Sequence, residues 1–322
     1  MTSKWTEAEA WVVGDIGATN ARFGFISPDG QLQYSRTFAG EEYSTIEEAL
    51  AAFLAERSPL PMPLQGAIAI ASPITGDRVA MTNQRWDFSI LALKERFGFD
   101  RLEVINDFTA LALALPRLTL EDRLAVGGSI AMADAPIGVL GPGTGLGVSG
   151  LVPCESGWVA LAGEGGHATM APATDRESVV LDRLRRHFDH VSAERVLSGP
   201  GLVNLYTTLA SIDGVPAKRY TPAQITDLGI RVEDPLCSET TAMFCSMLGT
   251  MAGNLALTLG ARGGVCIGGG IVPRLGHAFV LSPFRQPFEA KGRFQPYLAA
   301  IPTFVVTHPL PAFLGCAALL AQ

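Results

Sequence analysis

Asp15 and Asp107 each stand where a run of apolar, strand-forming residues gives out, in VVGDIGATNARFGF and VINDFTA. Glu164 and His167 fall in the glycine-dense stretch GEGGH, and Glu194 follows in AERVLSGPG. Two carboxylates, an imidazole and the Asn106–Asp107 pair suit a polyhydroxylated ligand, because each sugar hydroxyl can donate to a carboxylate and accept from an amide. A metal centre is the competing chemistry, but Glu164-x-x-His167 has no obvious partner at helical spacing. Asp107 lies at the carboxyl end of a strand, where ligands bind in open α/β sheets, and just before a helix. Position alone leaves it open between a general base and a helix N-cap.

Phosphate chemistry enters with GPGTGLG, Gly141 to Gly147, which has glycine at every second position. Such a turn admits positive φ and lets a ligand approach the main chain, so that successive N–H groups can point at one anion. The Thr144 hydroxyl could add to them. The turn lacks the lysine of a Walker A loop, and Leu146 stands where a GxGxxG fingerprint needs its last glycine. A hairpin whose glycines serve geometry alone stays open as the plainer alternative. Asp15 can sit near phosphates only with a cation present, and Mg²⁺ held directly or through water meets that condition. The alternative is a turn Asp bonded to its own backbone.

Alternating strands and helices must position these groups. Residues 11–26 read as two strands around a glycine turn, and QLQYSRTF as a third. STIEEALAAFLAERS is a helix capped by Ser44 or Thr45, QGAIAIASP a buried strand, and FSILALKERFG a helix closed by Gly98. RLEVIND is a strand and FTALALALP a helix stopped by Pro116. The pattern then restarts: APIGVLGPGTGLGVSGLV is strand, glycine turn, strand, and GWVALAGEGG is a third strand. SETTAMFCSMLGTMAGNLALTLGA is a long helix, GGVCIGGGIV a strand entering a glycine turn, IPTFVVTH a late strand and PAFLGCAALLA a closing helix. One opening unit used twice predicts two related α/β lobes with a cleft between them. The expected division is a small lobe of residues 1–116 plus 308–322 and a large lobe of residues 117–307.

Composition narrows the function classes. With 322 residues, 48% hydrophobic and 17% charged, the chain can build one large or two ordinary globular cores. A net charge of −7 offers no basic stripe, which argues against nucleic acid and anionic membrane as partners. No apolar run is expected to reach the roughly 18 residues that span a bilayer. MTSKWTEAEA has no basic segment followed by an apolar one, so a cytoplasmic protein is expected. Cys154, Cys237, Cys245, Cys266 and Cys316 form no CxxC pair and read as reduced thiols, mostly small core residues.

Taken in order, these motifs resemble the bacterial glucokinases of the hexokinase, acetate kinase and actin superfamily, over nearly the whole chain. GDIGATNARF is similar to that family's first phosphate loop, INDFTA to the strand end with its catalytic aspartate, and GPGTGLGV to its second phosphate loop. GEGGH and SAERVLSGPGLVNLY resemble its sugar-binding elements, and GGVCIGGGIVPR its adenosine-side turn. FEAKGRF, IPTFVVTH and the closing helix match its C-terminal end. The resemblance implies an α/β, two-lobed actin-like ATPase (ribonuclease H-like) fold with a central cleft, and ATP-dependent phosphorylation of glucose at O6. It implies that Asp107 is the base for the 6-hydroxyl, that Asn106, Glu164, His167 and Glu194 hold other hydroxyls, and that Asn83 in MTNQRW approaches the sugar. It implies that Asp15 acts on Mg²⁺, with Gly17, Thr19 and Asn20 lining the phosphate path. Gly143, Thr144 and Gly145 are implied to cradle phosphates, and Gly269 and Gly270 to lie near the nucleotide. ATP and Mg²⁺ are the implied cofactors, glucose the substrate and a homodimer the assembly.

Three departures stand out. GHATMAP is followed by ATDRESVV without cysteines, unlike the zinc-bearing repressor-and-kinase group. Ala18 stands where a second glycine is expected after Gly17. Pro142 removes one N–H from the second loop.

Overall fold

The computed structural model describes residues 10–56, 64–81, 86–155 and 157–322. They fall into two compact units, Met1–Leu118 with Pro309–Gln322, and Thr119–His308.

The first unit contains β1 (Trp11–Ile16), β2 (Asn20–Ile26), β3 (Leu32–Ala39), β4 (Gln65–Ile70), a short ribbon of β5 (Arg78–Ala80) and β6 (Asp87–Ser89), and β7 (Arg101–Asn106). Its main sheet runs β3-β2-β1-β4-β7, antiparallel across the first three strands and parallel from β1 to β7. Residues alternate between two faces. Val12, Ile16, Phe23, Phe25, Ile68 and Ile70 join Phe53 of helix α1 (Ile46–Ala55) in one core. Val13, Ala67 and Ala69 face the other way, against α3 (Asp107–Ala114) and the last helix of the chain, α12 (Pro311–Leu320). That second face is small because the two helices cross closely: a Cβ on Gly315 would collide with the Ala110 carbonyl. Thr45 supplies the cap of α1, accepting the Glu48 N–H at 3.2 Å. Gly98, at φ 68°, ends α2 (Ile90–Phe97) in the left-handed conformation that favours glycine.

The second unit contains β8 (Arg123–Gly127), β9 (Ile137–Pro142), β10 (Leu146–Cys154), β11 (Gly157–Leu161), β12 (Gly264–Ile267) and β13 (Thr303–Val306). Their order is β11-β10-β9-β12-β13-β8, so the first five strands repeat the order and senses of the first unit. β8 is an antiparallel addition at the far edge that the sequence reading missed. Its five residues, RLAVG, are neither buried nor alternating. Around the sheet lie α4 (Asp175–Leu184), α5 (Gly199–Asp213), α6 (Pro222–Ile230), α7 (Pro235–Leu259) and the short helices α8 (Val272–Leu275), α9 (His277–Val280), α10 (Arg285–Glu289) and α11 (Gln295–Ala300).

α7 corrects two expectations. It begins three residues early, because Asp234 caps it through the Leu236 and Cys237 N–H groups at 3.0 and 3.1 Å, and Pro235 suits the first turn. By length and composition it could also cross a bilayer, contrary to the expectation that no run is long enough. Its Phe244, Met247, Leu248 and Ala252 are instead fully buried, as in the core helix of a globular unit. Four of the five cysteines are buried, and burial pushes the thiols of Cys237, Cys245 and Cys266 up to about 11; Cys154 is exposed.

Candidate active site

The candidate residues divide between the two units. In the first, the β1–β2 hairpin register sets Asp15 opposite Arg22, whose Nη1 stands 3.4 Å from Asp15 Oδ2. Asp15 thus meets a cation across the hairpin, which corrects the reading of a turn Asp on its own backbone. Burial pushes its carboxyl pKa above the usual range, and the Arg22 guanidinium opposes that push. The Gly17 N–H closes the turn on the Asn20 carbonyl at 3.0 Å. Thr19 is exposed, Asn20 half-buried, and the Thr19 carbonyl accepts the Gly40 N–H at 2.8 Å.

At the end of β7 the cap position falls to Asn106 and not to Asp107. Asn106 is the N-cap of α3: its Oδ1 accepts the N–H groups of Phe108 and Thr109 at 2.9 and 3.3 Å. Its Nδ2 donates to the Ser72 carbonyl at 3.4 Å. Asp107 is the first helical residue, half-buried, and shares the Phe108 N–H through Oδ1 at 2.9 Å. The expectation of Asp107 as cap is therefore corrected by one position. Asn83 lies outside the described residues.

In the second unit, β9 and β12 run parallel and side by side, and each ends in a glycine-rich stretch. The stretches pack backbone on backbone. The Gly268 N–H reaches the Leu140 carbonyl at 2.9 Å and the Ile271 N–H the Pro142 carbonyl at 3.1 Å. A Cβ on Gly141 would collide with Gly268, and one on Gly269 with the Pro142 carbonyl. Gly269 also needs its positive φ of 78°. Gly141, Gly143 and Gly145 do not adopt positive φ, contrary to expectation; close packing on backbone is what excludes a side chain at Gly141, while at Gly145 a Cβ would displace the end of the Glu194 side chain. A Cβ on Gly270 would meet open space. The Gly143 N–H closes the turn internally on the Gly145 carbonyl at 2.8 Å.

GEGGH packs on β10, since a Cβ on Gly166 would collide with the Leu146 carbonyl and one on Gly165 with the Val148 side chain. This sets His167 between two carboxylates: Nδ1 is 3.9 Å from Glu164 Oε2, and Nε2 is 4.0 Å from Glu194 Oε1. Both gaps exceed hydrogen-bond reach, so all three groups keep capacity for hydroxyls. His167 and Glu194 line a cavity of about 430 Å³ together with His187, Asp189, His190 and Arg195. Sequence reasoning gave His190 no role, yet here it borders that cavity and its Nε2 is 2.9 Å from Thr169 Oγ1. Also missed was the bond from the Leu146 N–H to Glu194 Oε2, at 2.9 Å, which ties the Glu194 carboxylate to the glycine turn.

Among the described residues no three His, Cys, Asp or Glu side chains gather into a metal-ligand set. A single carboxylate fits Mg²⁺, which keeps several waters and takes its other ligands from substrate phosphates. Asp15 is an oxygen donor of that kind.

Two sheets of one strand order, with glycine turns after β1, β9 and β12, define the actin-like ATPase (ribonuclease H-like) fold of sugar kinases. A solved glucokinase from an Antarctic psychrotroph superposes with a TM-score of 0.88 at 37% identity, covering 97% of this chain and 98% of that one. A ROK family glucokinase from Streptomyces griseus, solved in complex with glucose and AMPPNP, gives a TM-score of 0.65 at 20% identity over 97% of this chain and 98% of its own. The family model described as Glucokinase matches residues 12–322, and the glucokinase of Paramagnetospirillum magneticum is 54% identical over 97% of both chains. The chain belongs to the glucokinase family.

Proposed function

We propose that this enzyme transfers the γ-phosphoryl group of ATP to O6 of D-glucose, giving glucose 6-phosphate and ADP. The carrying observation is the 54% identity to a glucokinase over 97% of both chains. The glucose and AMPPNP bound by the Streptomyces griseus relative support the choice of substrates. In this reading the Asp107 carboxylate accepts the O6 proton as O6 bonds to the γ-phosphorus and the bond to the ADP oxygen breaks. A positioned general base of this kind contributes about 10²–10⁴-fold. Its support is the cap at Asn106, which relieves Asp107 of most capping duty.

Glu164, His167 and Glu194 hold the remaining hydroxyls of the same hexose, with Asn106 and Asn83 as further candidates. Thr144 and Gly145 offer N–H groups to the phosphates, and Gly143, Gly269 and Gly270 shape their surroundings. Gly17, Thr19 and Asn20 line the phosphate path, and Asp15 holds Mg²⁺, which supplies charge neutralisation when bound. The same reading gives a cytoplasmic homodimer, a state that light scattering measures.

The test is ADP formation from Mg-ATP with and without glucose, beside mannose and fructose. A glucose-dependent rate, weak with the other two, is expected. No ADP with any sugar, from a folded sample, would refute the reading and point to another donor such as polyphosphate. A rate independent of sugar would favour a plain ATPase.

A further inference from the structure

The amide groups of the 141–147 turn can be traced one by one. Pro142 has none. The Gly143 N–H is held by the Gly145 carbonyl and the Leu146 N–H by Glu194 Oε2, at 2.8 and 2.9 Å. The amides of Thr144 and Gly145 donate to no group among the described residues. The turn is therefore braced on either side of the two amides that find no partner among the described residues.

Glu194 supplies one of those braces, and the contact is close-fitting. A Cβ on Gly145 would collide with the same Oε2 atom. The other oxygen, Oε1, stands 4.0 Å from His167 Nε2 on the sugar side. The backbone around Glu194 belongs to the same assembly. The Gly199 N–H donates to the Gly143 carbonyl at 2.8 Å, and Ser198 Oγ donates to the Glu194 carbonyl at 2.8 Å. Ser198 Oγ in turn accepts the Gly201 N–H at 3.0 Å, capping α5.

We infer that Glu194 is a positioning residue for the phosphate turn, holding the Thr144 and Gly145 amides in place for the nucleotide through Oε2 while Oε1 serves the sugar. This rests on the proposed glucose phosphorylation. Its consequence is that the two substrates share one carboxylate: a hexose gripping Oε1 fixes the side chain that braces the turn, so each substrate favours the other. Electrostatics alone argues the other way, because a carboxylate beside a phosphate site repels it. The two effects can be separated, since glutamine keeps an oxygen acceptor for the Leu146 N–H and removes the charge.

The experiment is calorimetric titration of Mg-AMPPNP in the absence of any sugar. A residue that only holds sugar leaves this affinity alone. Glu194→Ala is expected to weaken it by roughly tenfold, the scale of one lost hydrogen bond to a charged group. Glu194→Gln is expected to restore most of the loss. Glu164→Ala is expected to lose glucose affinity but keep nucleotide affinity. Gly145→Ala reaches the same bond from the other partner, is expected to reproduce the nucleotide loss, and decides the matter if Glu194→Ala does not fold. Folded Glu194→Ala or Gly145→Ala protein that binds Mg-AMPPNP as tightly as wild type, or tighter, overturns the inference. Wild-type turnover with glucose, measured on the same preparation, reports separately on the proposed reaction.

Discussion

In both units a hairpin, a third antiparallel strand and two parallel strands are laid down in the same order, β3-β2-β1-β4-β7 in one and β11-β10-β9-β12-β13 in the other. Their hairpin joints are finished by different means. The β1–β2 joint relies on side chains: Asp15 faces Arg22 across the strands, and a Cβ on Gly17 would meet nothing nearer than the Asn20 carbonyl at 3.7 Å. The β9–β10 joint relies on close packing, with Gly141 against the backbone of Gly268 and Gly269 and Gly145 against the Glu194 carboxylate. The strand ends differ too. In the first unit β7 runs into Asn106 and Asp107, whereas β13 is followed by Thr307 and His308. One topology thus carries a half whose hairpin joint is set by a side-chain pair and a half whose hairpin joint is set by close packing of glycines.

The largest expected effect tests the side-chain half. Asp107→Ala should lower kcat by about 10²–10⁴-fold with its melting profile and glucose Kd near wild type. Near-normal turnover in the folded variant would remove Asp107 from the role of base.

Next comes a paired test of the joints. Gly269→Ala combines a forbidding φ with a backbone collision and should cost roughly 1–3 kcal/mol in urea denaturation. Gly17→Ala should stay within about 0.5 kcal/mol. Equal costs would break the contrast between the joints.

Asn106→Ala removes the cap from two N–H groups and should cost about 1 kcal/mol. A loss of turnover beyond that of an equally destabilised variant elsewhere would show that Asn106 also serves the substrate.

The smallest effect concerns Asp15, whose folded-state pKa is raised, so the folded state disfavours its charged form. Its contribution to stability is fully present below the unfolded pKa and is lost as pH rises through the folded one. Asp15→Asn should therefore be more stable than wild type at about pH 7, with the difference shrinking toward about pH 4. The same variant should flatten the Mg²⁺ dependence of the rate, and an unchanged metal titration would argue against a metal role.

Much of this was legible in the sequence, for identifiable reasons. Strands such as Gln65–Ile70 are continuous apolar runs, and caps such as Thr45 and Gly98 have sharp local signatures. The Asp15–Arg22 pair was legible in principle, because a hairpin with Ile16 opposite Ala21 must set residue 15 against residue 22. β8 left no signal, being short and half-exposed at a sheet edge. The bond from Leu146 to Glu194 spans 48 residues and uses a main-chain donor, so no spacing rule could find it. Gly145 looked like a glycine chosen for its own φ, whereas the space that a Cβ would occupy belongs to Glu194. Asp107 was misjudged as a possible cap because Asn and Asp fill that position about equally well, and only the structure shows which one does.

In the proposed reaction the phosphoryl group goes to one particular hydroxyl, O6 of glucose. The most direct measurement is a phosphorus–proton correlation spectrum of the product formed from glucose and Mg-ATP. The expected result is a phosphate ester whose phosphorus couples to the two C6 protons. Inorganic phosphate alone, or an ester coupled to the anomeric proton, would contradict the account.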